Sequence, residues 1–229
     1  MNQRFWNDLQ NNSKYRMDLY GRKSHMNILK TIISSILAGM LISIGGMACL
    51  LSDYKFIGAL IFAVGLFGVM TYKLSLYTGK VGYVLENPPI FVVEVLLIIV
   101  GNFIGCLLMG LAFPLDQAIA ACEARLAVDE LTVLFKGICC GVLVFIAVDQ
   151  YLTKNSYLAL FICIPAFILA GFEHSIADMF FFSSAGIFNA DSLIFILIVI
   201  LGNAIGCLLI PAYRKYVDTQ GISQQSDST

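Results

Sequence analysis

Residues 28–51, 56–72, 90–113, 131–152, 157–172 and 192–213 form six apolar blocks separated by short polar stretches. An α-helix rises about 1.5 Å per residue, so about 20 apolar residues cross a hydrocarbon core of about 30 Å. The first, third, fourth and sixth blocks meet that length, and each predicts a membrane-spanning helix. The second and fifth differ. Each resumes after a polar interruption, extending the apolar regions to 56–86 and 157–188, too long for one straight crossing. The interruptions read Lys73-Leu74-Ser75-Leu76-Tyr77-Thr78-Gly79-Lys80 and Glu173-His174-Ser175. Backbone that leaves a helix at membrane depth is tolerated only where protein buries it or a cavity hydrates it. The pattern therefore predicts two broken spans, with Thr78 and His174 approaching each other across a central pathway.

The chain also repeats itself. Gly101-Asn102-Phe103-Ile104-Gly105-Cys106-Leu107-Leu108 recurs as Gly202-Asn203-Ala204-Ile205-Gly206-Cys207-Leu208-Leu209, seven of eight positions identical. Each copy lies in the second half of the last long span of its repeat. The Gly-x-x-x-Gly spacing (Gly101/Gly105 and Gly202/Gly206) lets helix backbones approach closely in lipid, and Asn102 and Asn203 can each bond to a neighbouring helix. Three spans per half is an odd number, so the second half enters the membrane from the opposite side. The expected fold is an all-α membrane protein of six transmembrane segments. These form two inverted three-span repeats in an aquaporin-like arrangement, with spans two and five broken and a transport site near the midplane.

Composition excludes a water-soluble fold, since 59% of residues are hydrophobic and only 13% charged. The net charge of -1 says nothing about partners, but its distribution does. With both termini cytoplasmic, Arg4, Lys14, Arg16, Arg22, Lys23, Lys30, Lys73, Lys80, Lys154, Arg214 and Lys215 face inward, and only Lys55, Arg125 and Lys136 face outward. The expected organisation is a polar N-terminal segment over 1–27, a channel domain over 28–213 and a polar tail over 214–229, without structure from residue 218. Phe5, Trp6 and Leu9 suggest either a short interfacial helix or an ordinary tail, and no signal peptide is expected. Six of the seven cysteines fall in spans, where Cys acts as a small apolar residue, and Cys122 stands alone in an outer loop. No metal or other cofactor is expected.

Glu173, His174 and Asp178 sit between apolar runs, where an ionisable group is by default a functional-site hypothesis. His174 is read as exchanging a proton or hydrogen bond with a passing small acid, or as a neutral pin for the broken helix. Glu173 is read as an anchor that accepts bonds from exposed backbone amides, with a proton relay as the lesser reading. A rival class is an intramembrane metal-dependent hydrolase using the pair His174 and Asp178, four residues apart and on one helix face. A third reading is a pore for a neutral solute.

The segment from Gly171 to Phe181, GFEHSIADMFF, resembles the Gly-Phe-Glu-His-Ser-(Val/Ile)-Ala-Asn-Met-Phe signature of the formate/nitrite transporter family, pentameric anion channels with formate, nitrite and hydrosulfide members. Leu76-Tyr77-Thr78 is similar to the family's Leu-Phe-Thr. Lys136-Gly137-Ile138-Cys139-Cys140 is similar to its Arg-Gly-Ile-Leu-Cys, and the paired Gly-Asn motifs match as well. The likeness covers residues 28–213. It implies a homopentamer with a pore through each subunit, in the plasma (inner) membrane and not an enzyme. Its partners would be a small inorganic or carboxylate anion and the lipid bilayer, with no nucleic acid.

The resemblance further makes His174 the central histidine and Thr78 its hydrogen-bond partner. Phe62 and Phe167 would form the outer constriction, and Leu66, Leu76 and Val144 the inner one. Arg125 takes the place of a vestibule lysine, there to concentrate anions, or else forms a surface salt bridge with Glu123, Asp129 or Glu130. Four positions depart from the family pattern. Asp178 replaces an Asn, Gly141 replaces an Asn and so removes a pore-side amide, and Lys73 and Lys80 add charge near the first break, raising the inner potential or snorkelling to water. Apolar constrictions admit a neutral acid far more readily than a bare anion. The expected function is therefore passage of small monovalent anions or their weak acids (formate, nitrite or hydrosulfide) past a central histidine.

Overall fold

The computed structural model describes residues 27–226, with side chains to residue 217. The described chain is helical, in the order α1 (Ile28–Leu50), α2 (Lys55–Thr71), α3 (Tyr77–Lys80, continued as a 3₁₀ segment Val81–Glu86), α4 (Ile90–Ala112), α5 (Asp116–Leu126), α6 (Glu130–Lys154), α7 (Leu158–Ala170), α8 (Ser175–Ala185) and α9 (Ala190–Ser226). Among the described residues α1, α4, α6 and the 190–217 part of α9 are each long and apolar enough to cross a membrane. A further apolar pair, α7 and α8, is bent by 54° at a short break, and α2 is a shorter apolar helix. Both predicted interruptions are thus places where the chain leaves the helix, at 72–76 and 171–174.

Local chemistry sets the ends. The Asn27 side chain accepts from Lys30 N at 3.0 Å to cap α1, and Asp129 accepts from Thr132 N at 3.0 Å to cap α6. Gly171 (φ 72°) and Gly186 (φ 67°) end α7 and α8 in the left-handed conformation that glycine adopts without a Cβ penalty.

Two helix pairs dominate the packing, α6 with α9 and α1 with α4. A Cβ on Gly105 would overlap the Ile36 carbonyl oxygen of α1, and one on Gly206 would overlap the Ile138 carbonyl oxygen of α6. The two Gly-x-x-x-Gly motifs therefore do the same work in both pairs: backbone rests on backbone. Gly141 belongs to this seam as well, since a side chain there would run into the Asn203 backbone. The expectation that Gly141 vacates a pore-side amide is corrected, because the position faces α9. Large apolar side chains such as Leu29, Ile90, Leu96, Leu193 and Leu197 point outward and are more than half exposed, as a lipid-facing or subunit-facing surface requires.

Helix α9 departs from expectation at its end. A polar tail without structure was expected from residue 218, yet the helix continues through Ser226. Arg214, just past the apolar block, is fastened to Asp149 of α6 by two bonds, Nη1 to Oδ1 at 3.1 Å and Nη2 to Oδ2 at 2.8 Å. Adding a turn to an anchored helix is easier than starting one. The N-terminal residues Phe5, Trp6 and Leu9, and the basic residues among 1–26, lie outside the described residues.

Candidate functional site

The two helix breaks are closed by the same device. Asn102 of α4 donates through Nδ2 to Ser35 O (2.8 Å) and Ser75 O (3.0 Å), and its Oδ1 accepts from Tyr77 N (2.9 Å). Asn203 of α9 donates through Nδ2 to Gly137 O (2.9 Å) and Glu173 O (3.0 Å), and its Oδ1 accepts from Ser175 N (2.9 Å). Each amide thus uses both protons and an oxygen on three backbone groups, spanning residues i and i+2 of a break. Turning either amide over would set oxygen against two carbonyls, so the orientation follows from the bonding. Both side chains are fully buried. The residue between the two bonded positions is Leu76 in one break and His174 in the other.

The two sulfur atoms of the repeat tie the halves together. Cys106 Sγ lies 3.6 Å from Gly39 O and 3.2 Å from Ile176 O beyond the second break, and Cys207 Sγ lies 3.2 Å from Gly141 O and 3.5 Å from Thr78 O beyond the first, each thiol having one proton for its two acceptors.

Held this way, Thr78 Oγ1 and His174 Nε2 lie 3.1 Å apart. His174 Nδ1 accepts from Ala177 N at 3.2 Å, which caps α8. Because Nδ1 accepts, the proton of the neutral ring is on Nε2 and is donated to Thr78. The His174 ring stacks on Phe167 (centroids 5.9 Å apart, planes at 16°), and Phe167 meets Phe62 edge-on at 6.0 Å. Phe62, Phe167, Leu66, Leu76 and Val144 all belong to one buried apolar core, and Thr78 and His174 are buried too. The structure therefore brings Phe62, Phe167, His174 and Thr78 into a continuous line of contacts.

Arg125 is the largest difference from the sequence reading. It bonds neither to Glu123 nor to Glu130, and Asp129 is occupied as a helix cap. The Arg125 Nε donates to Glu173 Oε2 at 3.0 Å and to Asp178 Oδ1 at 3.2 Å, Nη1 donates to Ala121 O at 3.0 Å, and the guanidinium lies 4.8 Å over the Phe181 ring. Lys136 Nζ reaches Glu173 Oε1 at 3.6 Å. Burial works to lower the Arg125 pKa, but Asp178 and Glu173 outweigh it and hold the group above its ordinary value. The surface bridge expected of Arg125 with Glu123, Asp129 or Glu130 does not form, because helix α5 packs on α8 and carries the guanidinium to two acids from the second break. The reading of Glu173 as a cap for backbone amides is corrected in the same way: its carboxylate takes Arg125 and Lys136, and only its carbonyl serves the break, through Asn203.

The His174–Asp178 pair required by a metal-dependent hydrolase does not assemble. Both His174 nitrogens are used, by Thr78 and by Ala177 N, and Asp178 turns to Arg125. Lys73 ends α2 exposed with φ 54°, and Lys80 sits part-buried within electrostatic reach of Glu94. Reading by span missed two participants. Lys136 carried a signal in its place at the head of an apolar span, next to Gly137. Asp149, a lone acid in the block 131–152, invited a search for a cation, and Arg214 supplies it.

The chain matches the sequence model described as formate/nitrite transporter over residues 17–217. Among solved structures, an FNT family ion channel superposes with a TM-score of 0.74 at 21% identity, covering 89% of this chain and 94% of that one. A pentameric formate channel with formate bound superposes with a TM-score of 0.71 at 20% identity, covering 86% of this chain and all of that one (100%). No curated protein matches the chain.

Proposed function

The chain belongs to the formate/nitrite transporter family, and from that premise we propose that it is a channel or transporter for formate, nitrite or hydrosulfide, moved as the anion or as its weak acid. The observation that carries this is the His174–Thr78 bond at 3.1 Å, made between two helix breaks inside an apolar core. A hydrogen-bonding pair set between apolar walls favours a species that sheds its charge while passing. In this reading Phe62 and Phe167 form one constriction, and Leu66, Leu76 and Val144 form the other. His174 presents its Nε2–H to the passing acid when Thr78 turns aside.

The architecture in this proposal is six spans in two inverted halves over residues 28–213, with α2/α3 and α7/α8 as the broken spans. The matching roles of Asn102 and Asn203 support it, as do the crossed bonds of Cys106 and Cys207. The pentameric formate channel it resembles supports a homopentamer, which we place in the plasma membrane, and the distribution of Lys and Arg supports cytoplasmic termini. Uptake of formate, nitrite and hydrosulfide into proteoliposomes, against pH and voltage, tests the function. A protein that moves none of the three overturns it. Labelling of single cysteines at Asp116 and Gln225 tests the orientation, and labelling of both from one side would sink it.

A further inference from the structure

Glu173 and Asp178 meet at the second break in an arrangement that two bare carboxylates do not favour. Both accept from the same Arg125 Nε, Glu173 Oε2 at 3.0 Å and Asp178 Oδ1 at 3.2 Å. Asp178 Oδ2 is buried and has no donor among the described residues. Two buried carboxylates that share one N–H repel each other, and a proton on Asp178 relieves that repulsion and gives its buried oxygen a neutral form.

The charged and titratable groups around the pair come from several elements. Helix α5 contributes Arg125 and Cys122, α6 contributes Lys136 and Cys140, α4 brings Cys106 against the α8 backbone, and Cys49 of α1 lies within electrostatic reach of Arg125. With both carboxyls ionised, Arg125 and Lys136 are matched two against two. One proton on the pair leaves the cluster with a net single positive charge. The Arg125 and Lys136 side chains are 22% and 29% exposed, so the cluster has a wet edge through which a proton can come and go. The cluster is tied to the central histidine through the chain: Glu173 directly precedes His174, and Asp178 lies one helical turn after it, its N–H donating to His174 O at 2.9 Å.

Resting on the channel reading above, we propose that the Glu173–Asp178 pair is a second proton-exchange site, on the α5 side of His174, that couples proton uptake to anion entry. A proton from the aqueous side binds the pair and makes the mouth cationic, which draws in a monovalent anion. The carboxyl O–H bond then breaks as a bond forms between that proton and the anion. Asp178–COOH and X⁻ become Asp178–COO⁻ and HX. The cluster is neutral again and no longer holds the substrate, which leaves as the neutral acid toward Phe62 and Phe167. The next proton from the same aqueous side resets the pair. His174 stays on this route as the hydrogen-bond partner of the neutral species.

The test is uptake of formate, together with the protons that accompany it, into proteoliposomes of the wild type and of Asp178→Asn. It is made at a pH where formate is almost wholly ionised. The wild type is expected to take up one proton per formate. The Asn variant keeps an oxygen for Arg125 but has no proton to give, so proton-coupled uptake is expected to fall roughly a hundredfold, the low end for loss of a positioned acid. An Asn variant with the wild-type rate and proton ratio overturns the inference while leaving the channel reading in place. A wild type that moves none of the family's anions overturns both. If the Asn variant does not assemble, infrared difference spectra of the wild type decide: a carboxylic-acid band at neutral pH that Glu173→Gln perturbs is expected, and spectra without such a band overturn the proposal.

Discussion

Thr78 and His174 are 96 residues apart in sequence, and Oγ1 of one lies 3.1 Å from Nε2 of the other. Each is held in place by an asparagine on a different long helix, so the pair reports the alignment of the two breaks. His174→Phe keeps the stack on Phe167 and removes the donor, and is expected to abolish most uptake of the weak acid. His174→Asn keeps a donor without a titrating ring, so it is expected to pass substrate with a flatter pH profile. Thr78→Val strands the Nε2–H, costing about 1–3 kcal/mol for a buried unpaired donor, and slows uptake without abolishing it. Proteoliposome flux across a pH series measures all three.

Asn203→Leu removes the partner of two backbone groups of the second break at once, Glu173 O and Ser175 N, and Asn102→Leu does the same to Ser75 O and Tyr77 N of the first. At about 1–3 kcal/mol for each buried orphan, either change is expected to cost most of the stability of a marginal protein. Thermal unfolding in detergent, followed by size exclusion, is the measurement. Equal losses for the two variants are expected from their matching roles, and a near-neutral Asn203→Leu would contradict the arrangement.

Gly206→Leu drives a side chain into the Ile138 carbonyl, a rigid backbone neighbour that cannot turn away. Helices α6 and α9 must then separate, at a cost of about 1–3 kcal/mol or more for overpacking. Loss of the assembled species on size exclusion is expected, rather than a change of substrate preference. A well-assembled Gly206→Leu protein with altered selectivity would assign the motif to the pore instead.

Asp149→Leu leaves Arg214 without its two-bond partner, and Arg214→Met takes the same two bonds from Asp149, 6% exposed. Breaking a fully buried pair costs about 3–5 kcal/mol. That figure is an upper bound here, since Arg214 is 29% exposed and also rests against Phe145. The double variant is expected to recover part of the loss, measured as a double-mutant cycle of unfolding temperature, and increased protease cleavage beyond residue 217 in the single variants checks the tethering of α9.

Asp129 caps α6 and has its pKa lowered by the hydrogen bonds from Thr132 N–H and the Thr132 side chain. Its folded pKa lies below its unfolded value, so the cap's contribution is complete above the unfolded pKa and disappears as pH falls through the folded one. Asp129→Ala is expected to lower the unfolding temperature at neutral pH and to match the wild type in acid. A constant difference at every pH would assign the effect to propensity instead.

Much of this protein is written in the order of its residues. Apolar block lengths place the long helices to within a few positions, the C-terminal end of α9 excepted, because crossing a bilayer is a matter of length and polarity that each segment meets by itself. The polar interruptions at 73–80 and 173–175 locate both breaks for the same reason, and the repeated Gly-Asn motif marks the close helix contacts. What no local pattern contains is the partner of a charge. Glu173 and Asp178 lie 48 and 53 residues from Arg125, and the acids close to Arg125 in sequence are the ones it does not bond. Asp149 and Arg214 find each other across 65 residues, and that pair carries α9 past the point where its hydrophobicity ends. Buried charges take whichever counterion the packing of α5, α6, α8 and α9 delivers, since an unpaired one costs several kcal/mol. Only the tertiary structure decides which helices deliver it.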